Sequence, residues 1–488
     1  MSKLLHSEVS EILSMDRRKT LKTFAAASIA SFLPPYVKAR NHSDVIVIGA
    51  GLSGLYSATI LQDEGYKVTV LEADNRVGGR VFSQKNIPGN PETGGTAFGS
   101  GYARIIDISN RFNIKLNDLS PILPYFRKQE LALDGELIQM SEWANHPKNV
   151  LPEAMKAMPP NALFHQLLGN NNPVKTPGEW MNPKHFMHDI SVHDWLIQQG
   201  YKQDFIDLVY NMNITHGYNA KDVSILMLMF VNAFASSQSR LGFRTSLSAE
   251  GGNVVIPEAM ANSLEQQVLF NKSVNAIETY SNKAKVSCAD GSVYEADHVI
   301  CSLPFSVLKN IDISPSVQGP QAEAINNLRS QKINMLHVVP KAPFWENDGM
   351  SPNLYTNGLS GMMIANRHVN TPDQVDSFTI WLRGPIAEKL DRMNQREAIL
   401  SVIKSIEEIR PSTKNVLEPL AYHSWFLSPF SIGDWAYWSP GQISKFGSSV
   451  GNQHGQIHFC GEHTAVSNRG MEGAMESGER VAFEIMGL

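Results

Sequence analysis

The chain has 488 residues, 42% hydrophobic and 18% charged, with 35 glycines, 26 prolines and three cysteines. That balance excludes a disordered, collagenous or coiled-coil chain, three thiols exclude a disulfide framework or a four-thiolate zinc site, and no apolar run reaches the ~18 residues of a membrane-spanning helix. The net charge of −5 becomes −8, 36 basic against 44 acidic groups, once residues 1–39 are set aside, so no basic face for nucleic acid is expected.

Those first residues form a distinct segment. Asp16-Arg17-Arg18-Lys19-Thr20-Leu21-Lys22 precedes an eleven-residue apolar stretch, 23–33, which is too short to cross a bilayer. Pro34-Pro35 and Val37-Lys38-Ala39 follow. A basic, then apolar, then small-residue order reads as a signal peptide spanning 1–39 and cut after Ala39, and the Arg-Arg stretch resembles the twin-arginine pattern. An uncleaved amphipathic helix is the alternative on the same residues. The expected location is periplasmic or exported, with the twin-arginine machinery as a partner.

Residues 44–48, Asp-Val-Ile-Val-Ile, read as a buried parallel strand. Gly49-Ala50-Gly51-Leu52-Ser53-Gly54 follows, then a helix pattern over 52–64, a stop at Gly65 and a second strand over 67–71. Gly49 permits the tight turn, Gly51 lets a pyrophosphate approach the backbone, and Gly54 allows close helix–strand packing. The helix N-terminus, at Leu52 and Ser53, offers N–H groups and partial positive charge. Glu72 lies 23 residues after Gly49, where an acid hydrogen-bonds a ribose hydroxyl. In Asn75-Arg76-Val77-Gly78-Gly79-Arg80-Val81, two arginines flank paired glycines and read as a second phosphate-facing loop.

The run 44–81 resembles the flavin-containing amine oxidase superfamily, and the resemblance recurs to the C-terminus. Glu92-Thr93-Gly94-Gly95-Thr96 is similar to the family's segment near the flavin. Ala249-Glu250-Gly251-Gly252 resembles its glycine pair before a helix. Residues 269–277 resemble the strand whose valine backbone, here Val274, meets the adenine. Residues 296–303 resemble the strand leading to a Ser-Leu-Pro turn, and Pro343-Phe344-Trp345 also fits. At the end stand Phe459-Cys460-Gly461-Glu462-His463-Thr464, Gly470-Met471-Glu472-Gly473-Ala474 and Ser477-Gly478-Glu479-Arg480. In the family this closes the flavin site, with Glu462 on a ribityl or phosphate hydroxyl and the Met471 amide near the isoalloxazine.

The resemblance implies an α/β (α+β two-domain) fold. A Rossmann-like FAD-binding domain would consist of the discontinuous segments 44–95, 248–325 and 427–488. A mixed-sheet-and-helix substrate domain would consist of 96–247 and 326–426. Within these, 145–187 is rich in Pro, Asn and Gly and reads as loop or lid. Residues 222–235 read as a mostly buried helix, 283–288 as a half-buried strand with a hairpin turn at Asp290-Gly291, and 386–408 as a surface helix.

The implied reaction is FAD-dependent oxidation of an amine C–N bond by hydride transfer to flavin N5. The imine then hydrolyses, and O2 or another periplasmic acceptor reoxidises the flavin. Many members flank the amine with two aromatic faces. By spacing to Gly441, Trp435 matches the first; the second position is Gly470, so that face is missing, and the pocket can accept a bulkier or cyclic amine. Residues 425–446 resemble the bacterial nicotine-oxidising amine oxidases.

Some members bind flavin through a cysteine just before the cage aromatic; Gly433-Asp434 stands here, which implies non-covalent FAD. Most place a lysine nine residues before the Phe of the Phe-Trp pair, and counting back from Phe344 gives Met335. Lys332, the nearest lysine, would need a bulge to take its place, since side chains alternate along a strand. Without the lysine, rapid reaction of the reduced flavin with O2 is in question, and a dehydrogenase passing electrons to another periplasmic acceptor becomes an alternative to an oxidase. No arginine matches the family's carboxylate-binding position, Arg104 reading as structural, so amino acids rank below simple amines. His185 and His188 read as solvated or capping side chains, and no metal is expected. A homodimer is left open. Two alternatives stand beside the amine reading: a flavin-binding partner protein without turnover, and an FAD oxidoreductase such as a desaturase acting on a non-amine substrate.

Overall fold

Residues 45–48, 68–71, 299–301 and 457–459 are short apolar runs, and in the computed structural model, which describes residues 44–488, they lie side by side. The leader, with Arg17, Arg18 and Ala39, lies outside the described residues. The strands run parallel in the order Lys67–Leu71, Asp44–Ile48, His298–Cys301, Ile457–Phe459. Runs apolar on both sides suit a sheet covered on both faces. Val45 and Val47 pack with the helices Leu52–Asp63 and Gly470–Met486, whereas Ile46 and Ile48 pack with Ile277, Ala284 and Val286 of an antiparallel meander. That meander, Val274–Tyr280, Lys283–Cys288 and Val293–Ala296, turns at Gly291, as the Asp290-Gly291 pair predicts. The two helices touch closely: a Cβ on Gly478 would lie 2.4 Å from the Ser53 carbonyl oxygen.

A seven-stranded sheet forms the second layer system, in the order Leu417–Ser424, Ile333–Pro340, Ser377–Arg383, Met362–Asn366, Leu354–Thr356, Glu130–Leu133, Glu136–Ile138. Leu336, Val338, Ile380 and Leu382 point to one face, where the helices Pro385–Asp391 and Gln395–Ile409 cover them. Ile333, Met335 and His337 point to the other. The architecture is the mixed α/β one expected. Among the described residues no helix is long and apolar enough to cross a membrane.

Three elements differ from the sequence reading. Within 145–187, Pro160–Asn170 is a helix that buries Leu163, Phe164, Leu167 and Leu168. Pro159-Pro160 looks like a breaker, yet proline is favoured in the first helical turn, where its missing N–H costs nothing. The surface helix over 386–408 is two helices, because Asn394 caps the second by accepting from the Glu397 N–H at 3.0 Å. The buried helix is Ile225–Arg240, starting after Ser224 and running past 235.

His337 ties the seven-stranded sheet to the loop at Thr93. Its ring nitrogens meet the Thr93 hydroxyl at 2.9 Å and the Thr379 hydroxyl at 3.1 Å. Burial, aided by neighbouring His423, pushes its pKa down to about 4. The unfolded ring titrates near 6.5, so the neutral ring's contribution is complete above that pH and is lost as pH falls through 4. Urea unfolding between pH 6.5 and 4 is expected to lose roughly 3 kcal/mol less in His337→Gln than in the wild type. Equal losses would remove His337 from the acid response.

Candidate active site

The glycine turn is built as the spacing requires. The Gly49 N–H donates to the Leu71 carbonyl at 2.8 Å, linking the two strand ends. No side chain caps the helix that starts at Leu52, and a Cβ on Gly51 would meet no atom within 4 Å. Gly54 is the opposite case: a Cβ there would sit 2.2 Å from the Gly49 carbonyl oxygen. Glu72 is buried and its two carboxylate oxygens accept from the Ala50 and Asp74 N–H groups, at 2.6 and 2.8 Å. Burial raises its pKa, and those two bonds oppose the rise.

A cavity of about 460 Å³ begins here and is lined by Gly49, Gly51, Ser53, Glu72, Arg76, Gly79, Arg80, Gly95, Val274, Glu462, Met471, Gly470 and Trp435. Gly54, Thr96, Gly461 and Met335 are not on its wall. Gly54 packs the helix, Thr96 is exposed, and Gly461, at φ 134°, turns the chain before Glu462. The arginines differ from the sequence reading. Both reach the cavity, but Arg76 donates to the Gly79 carbonyl at 2.8 Å, and Arg80 to the Asp434 carbonyl at 2.6 Å and Glu462 at 3.2 Å. They brace the loop first; a guanidinium has five N–H donors, so some remain for a phosphate.

Trp435 stands at the far end. Its indole N–H donates to the Thr215 carbonyl at 3.2 Å, and its ring lies 5.8 Å from that of buried His216. Opposite it in sequence role, Gly470 is exposed, has φ 55°, and a Cβ there would meet nothing within 4 Å. Met335 is 1% exposed, one layer behind, packed with Ile333, Trp425 and Trp435. The strand's one register shift against its 417–424 neighbour falls between His337 and Val338, so no bulge turns Lys332 inward. Lys332 instead pairs with Glu388 at 3.6 Å, stacks on Phe426 and lines a separate cleft. Arg104 is fully engaged by Glu472 and Glu479, at 3.1 and 2.5 Å.

Sequence reasoning placed Asp434 before the cage aromatic and Trp425 at the start of its segment, but gave neither a place on the cavity wall, which both line. Trp425 donates to the Thr93 carbonyl at 2.9 Å. Asp434 has its carboxyl pushed up to about 7 by burial, against the pull of Arg80. Position was the available signal, since Asp434 precedes Trp435 and Trp425 opens the same aromatic-rich segment. Cys301 and Cys460 are buried thiols pushed up to about 12, remote from this segment in sequence. His185 and His188 lie on the turn Pro183–His188, and among the described residues no group of three or more His, Cys, Asp or Glu is placed to hold a metal ion.

The donor set fits a dinucleotide. An uncapped helix start, a glycine with open space at its Cβ and a buried carboxylate stand in the order pyrophosphate and ribose need. The cavity then continues to an aromatic wall at Trp425 and Trp435, where a ring system can stack.

The family model described as flavin containing amine oxidoreductase matches residues 52–486. The chain is 25% identical to the flavin-containing amine oxidase B of Sus scrofa, covering 91% of this chain and 86% of that one. It is 23% identical to an L-amino-acid oxidase of Vipera ammodytes ammodytes, covering 92% and 93%. Its fold matches that of putrescine oxidase bound to putrescine with a TM-score of 0.72 at 23% identity, covering 92% of this chain and 100% of that one.

Proposed function

The chain belongs to the flavin containing amine oxidoreductase family, and from that premise we propose that it holds FAD non-covalently and oxidises the C–N bond of an amine after export by the twin-arginine route. When bound, FAD would supply the two-electron acceptor for oxidation of the amine C–N bond to an imine, which water would hydrolyse. The continuous cavity from Glu72 to Trp435 is the observation that carries this reading.

The residues divide the work. Glu72 would hold the ribose, the helix start at Leu52 and Ser53 the pyrophosphate, and the Val274 backbone the adenine. Glu462 is fixed by the Ala436 N–H at 2.6 Å and by Arg80, which leaves an oriented acceptor at the cavity wall. Trp435 forms one face for the amine, and Gly470 leaves the other side open. Asp434 stands before the cage aromatic, and a carboxyl cannot form the thioether a cysteine forms there. The electron acceptor is O2 or another periplasmic oxidant.

Anaerobic mixing of the purified holoprotein with an amine panel, followed by O2, tests the reading. Bleaching of the flavin is expected with at least one amine, and acid precipitation is expected to leave FAD in the supernatant. No bleaching with any amine sinks the reaction, and flavin retained in the pellet sinks the non-covalent link.

Met335 lies one layer behind the cavity wall, against Trp425 and Trp435, so a lysine in its place would act on the second half-reaction only by reaching past them to the flavin. A cation beside the reduced ring stabilises the charge that forms when O2 accepts electrons. Met335→Lys is therefore expected to speed reoxidation by about tenfold or more, read by stopped-flow after anaerobic reduction. An unchanged rate would reject this placement of Met335.

A further inference from the structure

Gln331 stands where two chain segments meet behind Trp435. It follows the short ladder in which Arg329 and Ser330 pair antiparallel with Tyr437 and Ala436, and it precedes the strand Ile333–Pro340 that carries Met335. Its backbone continues the ladder. The Gln331 N–H donates to the Trp435 carbonyl at 2.9 Å, and the Asp434 N–H donates to the Gln331 carbonyl at 2.9 Å. Asp434 and Trp435 are both on the cavity wall.

The side chain of Gln331 serves a second segment. Its Oε1 accepts from the Gly217 N–H at 2.6 Å, and its Nε2 donates to the Gly217 carbonyl at 3.1 Å. One amide thus satisfies both main-chain groups of one residue, and those partners fix which end of the amide is oxygen. Gln331 is 1% exposed, so each of these polar groups would be costly to leave unpaired. Glycines permit the close approach. Gly217 has φ 82°, and Gly384 has φ 55°; a Cβ on Gly384 would fall 2.5 Å from Ile214 Cγ2 and 3.3 Å from the Gly217 carbonyl oxygen.

Gly217 closes the loop that receives the indole. The Thr215 carbonyl accepts from the Trp435 indole N–H at 3.2 Å, and the His216 ring lies 5.8 Å from that of Trp435. Gln331 therefore holds Trp435 twice, once through its peptide and once through the loop on which its indole N–H ends. Gly217, Gln331 and Gly384 also line the separate cleft that Lys332 lines. The amide pair is thus a partition between that cleft and the aromatic wall of the cavity.

We propose that Gln331 is a positioning residue for Trp435, a latch whose main chain fixes the tryptophan's peptide and whose side chain fixes the 215–217 loop that orients its ring. This rests on the reading above, in which Trp435 forms a face for the amine. Without the latch the indole still packs with Met335 and Trp425, so the fold and the cofactor site persist while the face is misaligned. A misplacement of about 1 Å at a substrate-positioning group can cost about a hundredfold in rate.

Gln331→Met keeps the length of the side chain and removes both of its bonds. In anaerobic stopped-flow on the holoprotein, with the amine that bleaches the flavin fastest, FAD content is expected to stay at the wild-type level. The rate constant for reduction over substrate affinity is expected to fall about tenfold. In a Trp435→Ala background the same substitution is expected to change that quantity by less than about twofold, because the group through which the latch acts is gone. Burial favours the neutral carboxyl of Gln331→Glu, which offers the same acceptor and donor, so this variant is expected to recover most of the loss. It also carries the comparison if Gln331→Met does not fold. A readout without turnover is the visible circular dichroism of the bound FAD, expected to shift in Gln331→Met and to show no further shift when the substitution is added to Trp435→Ala.

An equal loss in both backgrounds makes Gln331 structural only and overturns the latch, as does a wild-type rate in Gln331→Met. A dichroism shift that disappears in the Trp435→Ala background, with no bleaching by any amine, keeps the latch and overturns the amine reading. No dichroism shift and no bleaching overturn both.

Discussion

Gly51→Val is expected to fold as the wild type does and to emerge from purification without the yellow of bound flavin. The Gly51 backbone, at φ −79° and ψ 178°, is extended and open to any residue, and a Cβ there meets no protein atom within 4 Å. The fold therefore loses little, about 1 kcal/mol from a poorer helix start. The new side chain projects into the space a pyrophosphate must enter to reach the helix N–H groups. Losing two or three charge-assisted bonds is expected to weaken FAD binding about a hundredfold or more, ~3 kcal/mol. Calorimetric titration of the apoprotein with FAD, beside circular dichroism, checks this. Gly54→Val is the contrasting variant. Its Cβ collides with the Gly49 carbonyl, so it is expected to lose the fold itself. Wild-type FAD affinity in a folded Gly51→Val protein would remove the pyrophosphate from this turn.

Trp435→Ala is expected to keep its FAD and to lose about a hundredfold in the rate constant for flavin reduction over substrate affinity, ~3 kcal/mol. The indole is positioned from two sides, by the Thr215 carbonyl and by packing with Met335 and Trp425. Because Gly470 supplies no opposing ring, no second aromatic face compensates for its removal. Trp435→Phe keeps a face and loses one hydrogen bond, so it is expected to recover all but about 1 kcal/mol. Rapid-mixing reduction under anaerobic conditions separates the two. Wild-type reduction kinetics in Trp435→Ala would take the indole out of the substrate site.

How far the sequence carried depended on the range of the interactions. The parallel strands at 44–48 and 67–71, the glycine turn and Glu72 were all legible, because each follows from a few adjacent residues whose chemistry has one use. The helix Pro160–Asn170 was hidden by prolines that read as a break but begin the helix. The divided helix at Asn394 was hidden by an apolar period that continues across the cap. Arg80 was legible as a cavity residue and not as a brace, since its carbonyl and carboxylate partners are Asp434 and Glu462, far along the chain.

The parallel sheet has a further consequence, for the order in which the molecule can be made. Its central strand, Asp44–Ile48, opens the described chain, whereas its edge strand Ile457–Phe459 and the helix packed on Leu52–Asp63 close it. A ribosome therefore releases the first half of the nucleotide turn long before the residues that complete it. Loop-closure entropy rises only slowly with length, about 0.6 kcal/mol per doubling, so the finished fold loses little stability by this arrangement. The folding rate bears the burden, because such non-local pairing raises contact order and delays the closing step. Removal of the last two turns of the C-terminal helix is thus expected to leave a nascent-like species, with the first βαβ unit present and the flavin cleft unformed.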